Sequence, residues 1–329
     1  MEGIINLLKP PGMTSHDAVS FLRRTLGEKK IGHCGTLDPQ AAGVLPVCLG
    51  QATRLADYVS GGEKSYYAEM RLGYETDTQD IWGKTIWISP EGKDGPFADP
   101  EKLKAAFRSL EGEIIQEVPA YSAVKRGGKS LYQYAREGNP YTGITRKAMI
   151  RSIRLIGGDG EEPALPEPER IRFCVECGGG TYVRMLCRDL GRRLGGGGVM
   201  SFLLRTKVGS FRLEDSVTLE EIQTRKEGGG YGDLIAPKEL ALARMPRATV
   251  NRQCAEKIRH GQSLWLHEID ITYADPPPEG AETSLIRDAG HKIWVADEGM
   301  RLAAVGCCQP GGLSRKGQVL FKPDKVFTE

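Results

Sequence analysis

The sequence predicts an α+β protein in two units, with the break near residue 245. Three observations carry that expectation. Residues 66–73 and 171–177 alternate apolar and polar side chains with a period of two, the pattern of half-buried strands. Residues 183–194 set Val183, Leu186, Leu190 and Leu194 along one helical stripe. Strands and helices also follow one another without the regular alternation of a doubly wound parallel sheet.

Taken in order, residues 4–8 (IINLL) read as a short strand and KPPGMTSHD as a turn. Thr14, with Asp17 three residues on and an apolar stripe of Val19, Leu22 and Leu26, opens a helix over 16–26. Residues 31–50 form a Gly-rich loop running into GVLPVCLG, and QATRLADYVS reads as a helix. Another helix follows Pro100, over 100–110. The strand at 171–177 ends on Gly178–Gly180, and Gly195–Gly198 closes the helix after it. KEGGGYG at 226–232 is a flexible break. Beyond Pro246 the texture becomes that of a small β-rich module with one helix, CAEKIRHG. The two units are therefore 1–245 and 246–329, the second carrying an insertion near 268–292 marked by ADPPPEGAE.

With 329 residues, 40% hydrophobic and 27% charged, the chain has the composition of a soluble protein whose core needs neither disulfides nor metal. No apolar run approaches the roughly 18–20 residues of a membrane span. The opening MEGIINLLKPPG lacks the basic and long apolar regions of a secretory signal, so a cytoplasmic location is expected. The Cys174-x-x-Cys177 pair lies on a strand, where the two sulfurs point to opposite faces, a poor metal site. His16, His33, His260, His267 and His291 show no metal-like spacing, and no phosphate loop, dinucleotide turn or Gly-x-Ser-x-Gly elbow occurs.

Net charge is only +2, but its distribution is uneven. Lys125, Arg126, Lys129, Arg136, Arg146, Lys147, Arg151 and Arg154 are opposed within their segment by Glu137 alone, and Tyr121, Tyr132, Tyr134 and Tyr141 are interleaved with them. Cations for phosphates and flat rings for bases suit a looped RNA. Charge alone leaves open a solvated basic loop beside a core helix, LYQYA.

Within IGHCGTLDPQAAG, Asp38 precedes proline, which holds it extended and suits the start of a helix. There it would be an N-cap whose charge free N–H groups favour. A carboxylate so held can be a nucleophile or charge stabiliser, and equally a purely structural cap.

Five blocks in order extend the reading. GHCGTLDPQAAGVLPVCLGQATR, NLLKPPGMTSHDAV, EKSYYAEMRLGYETDTQDIWG, VPAYSAVKRGGKSLYQYAREG and GGGTYVRMLCRDLGRRLGG together resemble the signature blocks of bacterial tRNA pseudouridine-55 synthases, over residues 3–220. The tail, through KIRHGQSL, IWVADEGMRLAAVG and KPDKVF, is similar to a PUA-type RNA-binding barrel. The resemblance implies a mixed, largely antiparallel sheet flanked by helices, with 119–150 as an RNA-gripping insertion.

It also implies an activity: isomerisation of uridine 55 in the T-loop of tRNA, with no metal or organic cofactor because the reaction is redox-neutral. Asp38 matches the catalytic aspartate, Tyr66 the tyrosine stacked on the target base, and Arg184 the partner of the aspartate. His33 resembles the residue that fills the gap left by the flipped base, and Tyr182 and Leu203 resemble pocket walls. Lys9 and Pro10 would buttress the aspartate loop, and Lys125, Arg126, Lys129 and Arg146 would contact RNA. Leu203-Leu204-Arg205 stands where the family often has Leu-Arg-Arg, which puts one phosphate contact in doubt. The partner implied is the T-arm stem-loop of tRNA, bound by a monomer with no guide RNA and no membrane. Alternatives are a guide-dependent synthase of the dyskerin kind and a non-catalytic RNA-binding or tRNA-chaperone protein.

Overall fold

Capping at Thr14 explains where the first helix begins. Its hydroxyl accepts the Asp17 N–H at 3.0 Å while the Asp17 carboxylate accepts the Thr14 N–H at 3.0 Å, a reciprocal box of which the cap alone contributes about 1 kcal/mol. A computed structural model describes residues 1–90, 100–156, 170–265, 270–272, 292–310 and 319–328. The chain runs through β1 (Gly3–Lys9), α1 (Ser15–Leu26), β2 (Ile31–His33), β3 (Ala42–Leu49), α2 (Ala56–Ser60) and β4 (Lys64–Leu72). A hairpin of β5 (Tyr74–Thr76) and β6 (Thr85–Ile88) precedes α3 (Pro100–Arg108) and β7 (Gly112–Glu117). The basic segment holds a small hairpin, β8 (Lys125–Arg126) and β9 (Lys129–Ser130), then α4 (Leu131–Arg136) and the start of β10 (Thr145–Leu155). There follow β11 (Arg170–Cys177), α5 (Val183–Arg193), β12 (Gly198–Val208), β13 (Phe211–Arg212), α6 (Leu219–Glu227) and β14 (Ile235–Ala236).

These strands form one ten-stranded sheet with the order β14-β1-β3-β12-β4-β11-β10-β7, β2 pairing with β3 and β13 with β12. Its pairs are antiparallel except β3 with β12. The mixed, largely antiparallel α+β architecture expected from the sequence is therefore the one observed. Strand β4 buries Tyr66, Ala68, Met70 and Leu72 on one face, as its alternation predicts. They meet Leu103 and Phe107 of α3 and the expected stripe Val183, Leu186, Leu190 and Leu194 of α5 in one core. Each such side chain contributes about 1.5–3 kcal/mol when fully buried. Cys177 is buried and Cys174 only partly, on the opposite faces expected of a strand.

Two expectations are corrected. Residues 50–60 do not make one helix: Gly50–Leu55 is a 3-10 turn, tightened where the Thr53 hydroxyl donates to the Gly50 carbonyl at 2.7 Å, and α2 begins only at Ala56. No helix follows Asp38 either. The Ala41 N–H donates to the Asp38 carbonyl at 3.1 Å, closing a turn, and pairing of Gly43 with Lys9 draws the chain straight into β3.

The second sheet has the order β16-β20-β19-β18-β15-β17 and forms a half-barrel of the expected kind. Its strands are β15 (Arg247–Val250), β16 (Leu264–Trp265), β17 (Asp270–Thr272), β18 (Lys292–Asp297), β19 (Leu302–Pro310) and β20 (Val319–Val326), with α7 (Arg252–Arg259) packed against it. Of the insertion expected near 268–292, residues 268–269 and 273–291 lie outside the described residues, while Asp270–Thr272 pairs with β15. Leu55 and Leu242 from the first unit join Trp294, Leu302, Val305 and Phe327 in a shared apolar cluster.

Gly43 matters for the site. Its φ is +117°, and a β-carbon there would lie 2.2 Å from the Arg205 carbonyl oxygen and 2.7 Å from the Arg205 nitrogen. Glycine alone lets β3 and β12 approach this closely. Gly43→Ala is expected to destabilise the protein by more than about 1 kcal/mol, read as a lower denaturant midpoint at unchanged m-value.

Candidate active site

Asp38 comes to the surface at the end of the β2–β3 loop, and the loop beneath it is held from below. Lys9, fully buried at the end of β1, donates to the carbonyls of Pro10 at 2.7 Å, Met13 at 2.8 Å and Pro39 at 3.1 Å. Of these three contacts, the one to Pro39 ties Lys9 to the Asp38 loop. The Ser15 hydroxyl accepts the Leu37 N–H at 2.9 Å. Cys34 packs its sulfur 3.2 Å from that of Cys48, both fully buried.

Arg184, in the first turn of α5, fixes the carboxylate. Its Nε donates to Asp38 Oδ2 at 2.8 Å and its Nη2 to Asp38 Oδ1 at 3.2 Å, a bidentate fork. The remaining contacts go to the Thr78 carbonyl at 3.0 Å and the Tyr121 carbonyl at 3.0 Å. Arg184 is 5% exposed and Asp38 36%, so the pair is anchored on the cation side and open on the carboxylate side. The charge of Asp38 is therefore held by a guanidinium, not by the helix N-terminus read from the Asp-Pro sequence.

Tyr66 is 7% exposed and shares a core cluster with Leu37 and Leu203, both buried. Burial pushes its phenol up to about 12, against an opposing pull from Arg205. Tyr182 caps α5 and is pinned by the fully buried Gln116, whose amide accepts the Tyr182 N–H at 2.8 Å and donates to its carbonyl at 3.0 Å. His33 is half-buried on β2, its Nδ1 without a hydrogen-bond partner among the described residues. The loop between β5 and β6 closes another side: Asp80 accepts the Thr78 hydroxyl at 2.6 Å and the Trp82 N–H at 3.1 Å, and burial raises its carboxyl above the ordinary value.

Of the four RNA-contact residues expected from sequence, Lys125, Arg126 and Lys129 share the β8–β9 hairpin and Arg146 lies on β10. Lys125 and Arg126 are exposed on the β8–β9 hairpin, with Lys129 ion-paired to Glu137 beside them. Arg146 instead packs against the start of α5, 6.0 Å from the Tyr182 ring centre, and a β-carbon on Gly180 would lie 2.1 Å from its Nη2. Arg205, the arginine kept in the Leu-Leu-Arg stretch, does not face solvent. It is 1% exposed and donates to the carbonyls of Val44 at 2.8 Å, Thr36 at 3.2 Å and Gly35 at 3.1 Å. Sequence reasoning missed Arg205, Gln116, Lys64 and Asp80 as parts of the site. Only the Thr-Asp-Thr-x-Asp turn carried a signal for the last of these.

Asp38 and Arg184 thus meet in a bidentate pair, and the buried Tyr66 lies in the core cluster that also holds Leu37, the residue before Asp38. Residues 23–183 match the model described as TruB family pseudouridylate synthase (N terminal domain), and residues 184–243 that of the tRNA pseudouridylate synthase B C-terminal domain. The chain belongs to the TruB family of pseudouridylate synthases. It is similar to the tRNA pseudouridine synthase B of Geobacillus kaustophilus, 47% identical over 81% of this chain and 92% of that one. It is also similar to the synthase of the same name from Heliobacterium modesticaldum, 44% identical over 100% of this chain and 96% of the other. Among solved structures, Cbf5 in a Cbf5-Nop10-Gar1 complex superposes with a TM-score of 0.72 at 28% identity, covering 99% of this chain and 85% of that one. An H/ACA RNP bound to a substrate RNA containing 2'-deoxyuridine gives 0.71 at 26% identity, covering 99% and 85%.

Burial, then the Arg205 charge, hold His33 below its ordinary 6.5, so the folded protein keeps it neutral. The unfolded chain takes up this proton as pH falls through 6.5 and the folded chain lags behind, so stability is lost on acidification. His33→Gln is expected to flatten the dependence of Tm on pH below about 6.5, measured by thermal denaturation across that range.

Proposed function

We propose that this chain converts a uridine of tRNA to pseudouridine, and specifically uridine 55 of the T-loop, with Asp38 as the catalytic carboxylate. The observation that carries the reading is the bidentate Arg184–Asp38 pair, buried on one side and open on the other. An extruded uridine would bring C1′ and the base to the open edge of the carboxylate, while the fork keeps that carboxylate aimed. The C1′–N1 bond breaks, the base rotates, C1′ rejoins at C5, and the C5 proton is lost as N1 gains one. Attack at C1′, attack at C6 and a glycal route all call on an ionised carboxylate at this position. Tyr66 would stack on the base, His33 would fill the gap left by flipping, and Tyr182 and Leu203 would wall the pocket.

The 1–245 unit would be catalytic and the 246–329 unit would add RNA contacts. Two observations favour direct recognition over a guide-dependent route. The relatives at 41–47% identity are named tRNA pseudouridine synthase B, and the β8–β9 hairpin presents Lys125 and Arg126 to solvent. The enzyme would then act on bare tRNA as a monomer, without a guide RNA.

Asp38→Asn is expected to lower the rate roughly 10³-fold or more while leaving the fold and tRNA binding intact. The readout is tritium release from 5-tritiated uridine in a T-arm hairpin, and an active variant would refute the assignment. Binding should weaken steeply with salt, and Lys125→Ala should reduce the slope of log K against log salt by about 1. A flat salt response in the unsubstituted protein would count against RNA as the substrate.

A further inference from the structure

Three cations lie buried around the Asp38 loop with carbonyl oxygens about them. Lys9 and Arg205 are held as described, and Lys64, 6% exposed, donates to the carbonyls of Ser60 at 2.5 Å and Gly62 at 3.1 Å. Burying a cation against carbonyls alone is costly, because no opposite charge offsets the lost hydration. Arg205 differs from the other two in what it faces. It stands directly opposite Tyr66 in the β12–β4 register, on the strand face that Val175 shares. Its donors hold Gly35 and Thr36, in the same loop as Asp38, and Val44, and its charge acts on the Tyr66 phenol across the register. A guanidinium only donates. Arg205 can therefore favour electron density on the Tyr66 oxygen but cannot itself take up a proton.

We propose that Arg205 is a positioning residue of the isomerisation, joining the Asp38 loop to Tyr66 and steadying the Tyr66 oxygen as it receives the C5 proton. The inference rests on the function proposed above. Once C1′ has bonded to C5, the C5–H bond breaks, its electron pair forms the C5–C6 double bond, and the N1–C6 double bond opens to leave its pair on N1. The proton passes to Tyr66 Oη as the phenolic proton leaves for water, and N1 takes up a proton from water, so the step is neutral overall. A fixed positive charge beside that oxygen, shielded from water, costs no reorganisation when the proton moves. Burial works against an electron-rich oxygen at Tyr66, and Arg205 is the group that opposes it.

The test uses the full chain and a T-arm hairpin carrying either ordinary or 5-deuterated uridine, in single turnover. Arg205→Met is expected to slow product formation on the order of 10²-fold with hairpin Kd within about twofold. Its C5 deuterium isotope effect should exceed that of the unsubstituted enzyme, and Arg205→Lys should fall between them. Combining Arg205→Met with Tyr66→Phe should cost clearly less than the two separate losses together, since part of the Arg205 effect acts through Tyr66. An unchanged isotope effect, fully additive losses, or a loss confined to Kd would each overturn the proposal. Should Arg205→Met not fold, the isotope effect of Arg205→Lys decides the matter in the same way. An unsubstituted enzyme that leaves the hairpin unconverted would sink the proposed function itself, a result separate from all of these.

Discussion

The fork between Arg184 and Asp38 is the interaction on which the arrangement of the site depends. Its two partners are 146 positions apart and reach each other only when α5 is seated on the sheet and the β2–β3 loop is closed. The same guanidinium is also held by the carbonyls of Thr78 and Tyr121, so three separate stretches of chain converge on one side chain. With Arg184 buried and Asp38 partly exposed, loss of the carboxylate would leave the guanidinium on the two carbonyls, while loss of the guanidinium would leave Asp38 without its fork.

Beneath the fork the loop is organised by cations inside and carbonyls turned inward. Lys9 draws in Pro39, and Arg205 draws in Gly35, Thr36 and Val44. With those carbonyls facing the core, the loop presents Asp38 outward toward Arg184. Burial holds Lys9 and Lys64 down to about 8, so their charge is maintained at a cost in stability. Gly43 belongs to the same device, since only its missing side chain lets β3 lie against the backbone of Arg205.

Much of the fold was legible because its signals are periodic. The alternation of β4 and β11 and the stripe of α5 predicted which faces are buried, and Thr14 with Asp17 marked a helix start. The site was legible only where a motif spoke for it. Asp-Pro was misread as opening a helix, because a turn and a helix start share the same local preferences, and pairing with β1 decides between them. Arg205 could not be recognised locally: an arginine in a strand carries no mark of whether its neighbours offer solvent or carbonyls. Gln116, holding the start of α5 from 66 residues away, depends on a contact that no spacing encodes.

The basic segment shows why composition alone left two readings open. Its interleaved rings and cations already satisfy one another in the free protein: Arg126 lies 4.7 Å from the Tyr141 ring centre, Lys129 4.9 Å from that of Tyr134, and Arg136 5.5 Å from that of Tyr132. Each exposed contact of this kind contributes about 0.5–1 kcal/mol. A phosphate competing for such a cation gives up that much and gains a charged partner, while the ring it uncovers becomes free to stack on a base. Interleaving therefore keeps the hairpin ordered without RNA at small expense, and the exchange favours a ligand that offers phosphates and bases together over one that offers charge alone.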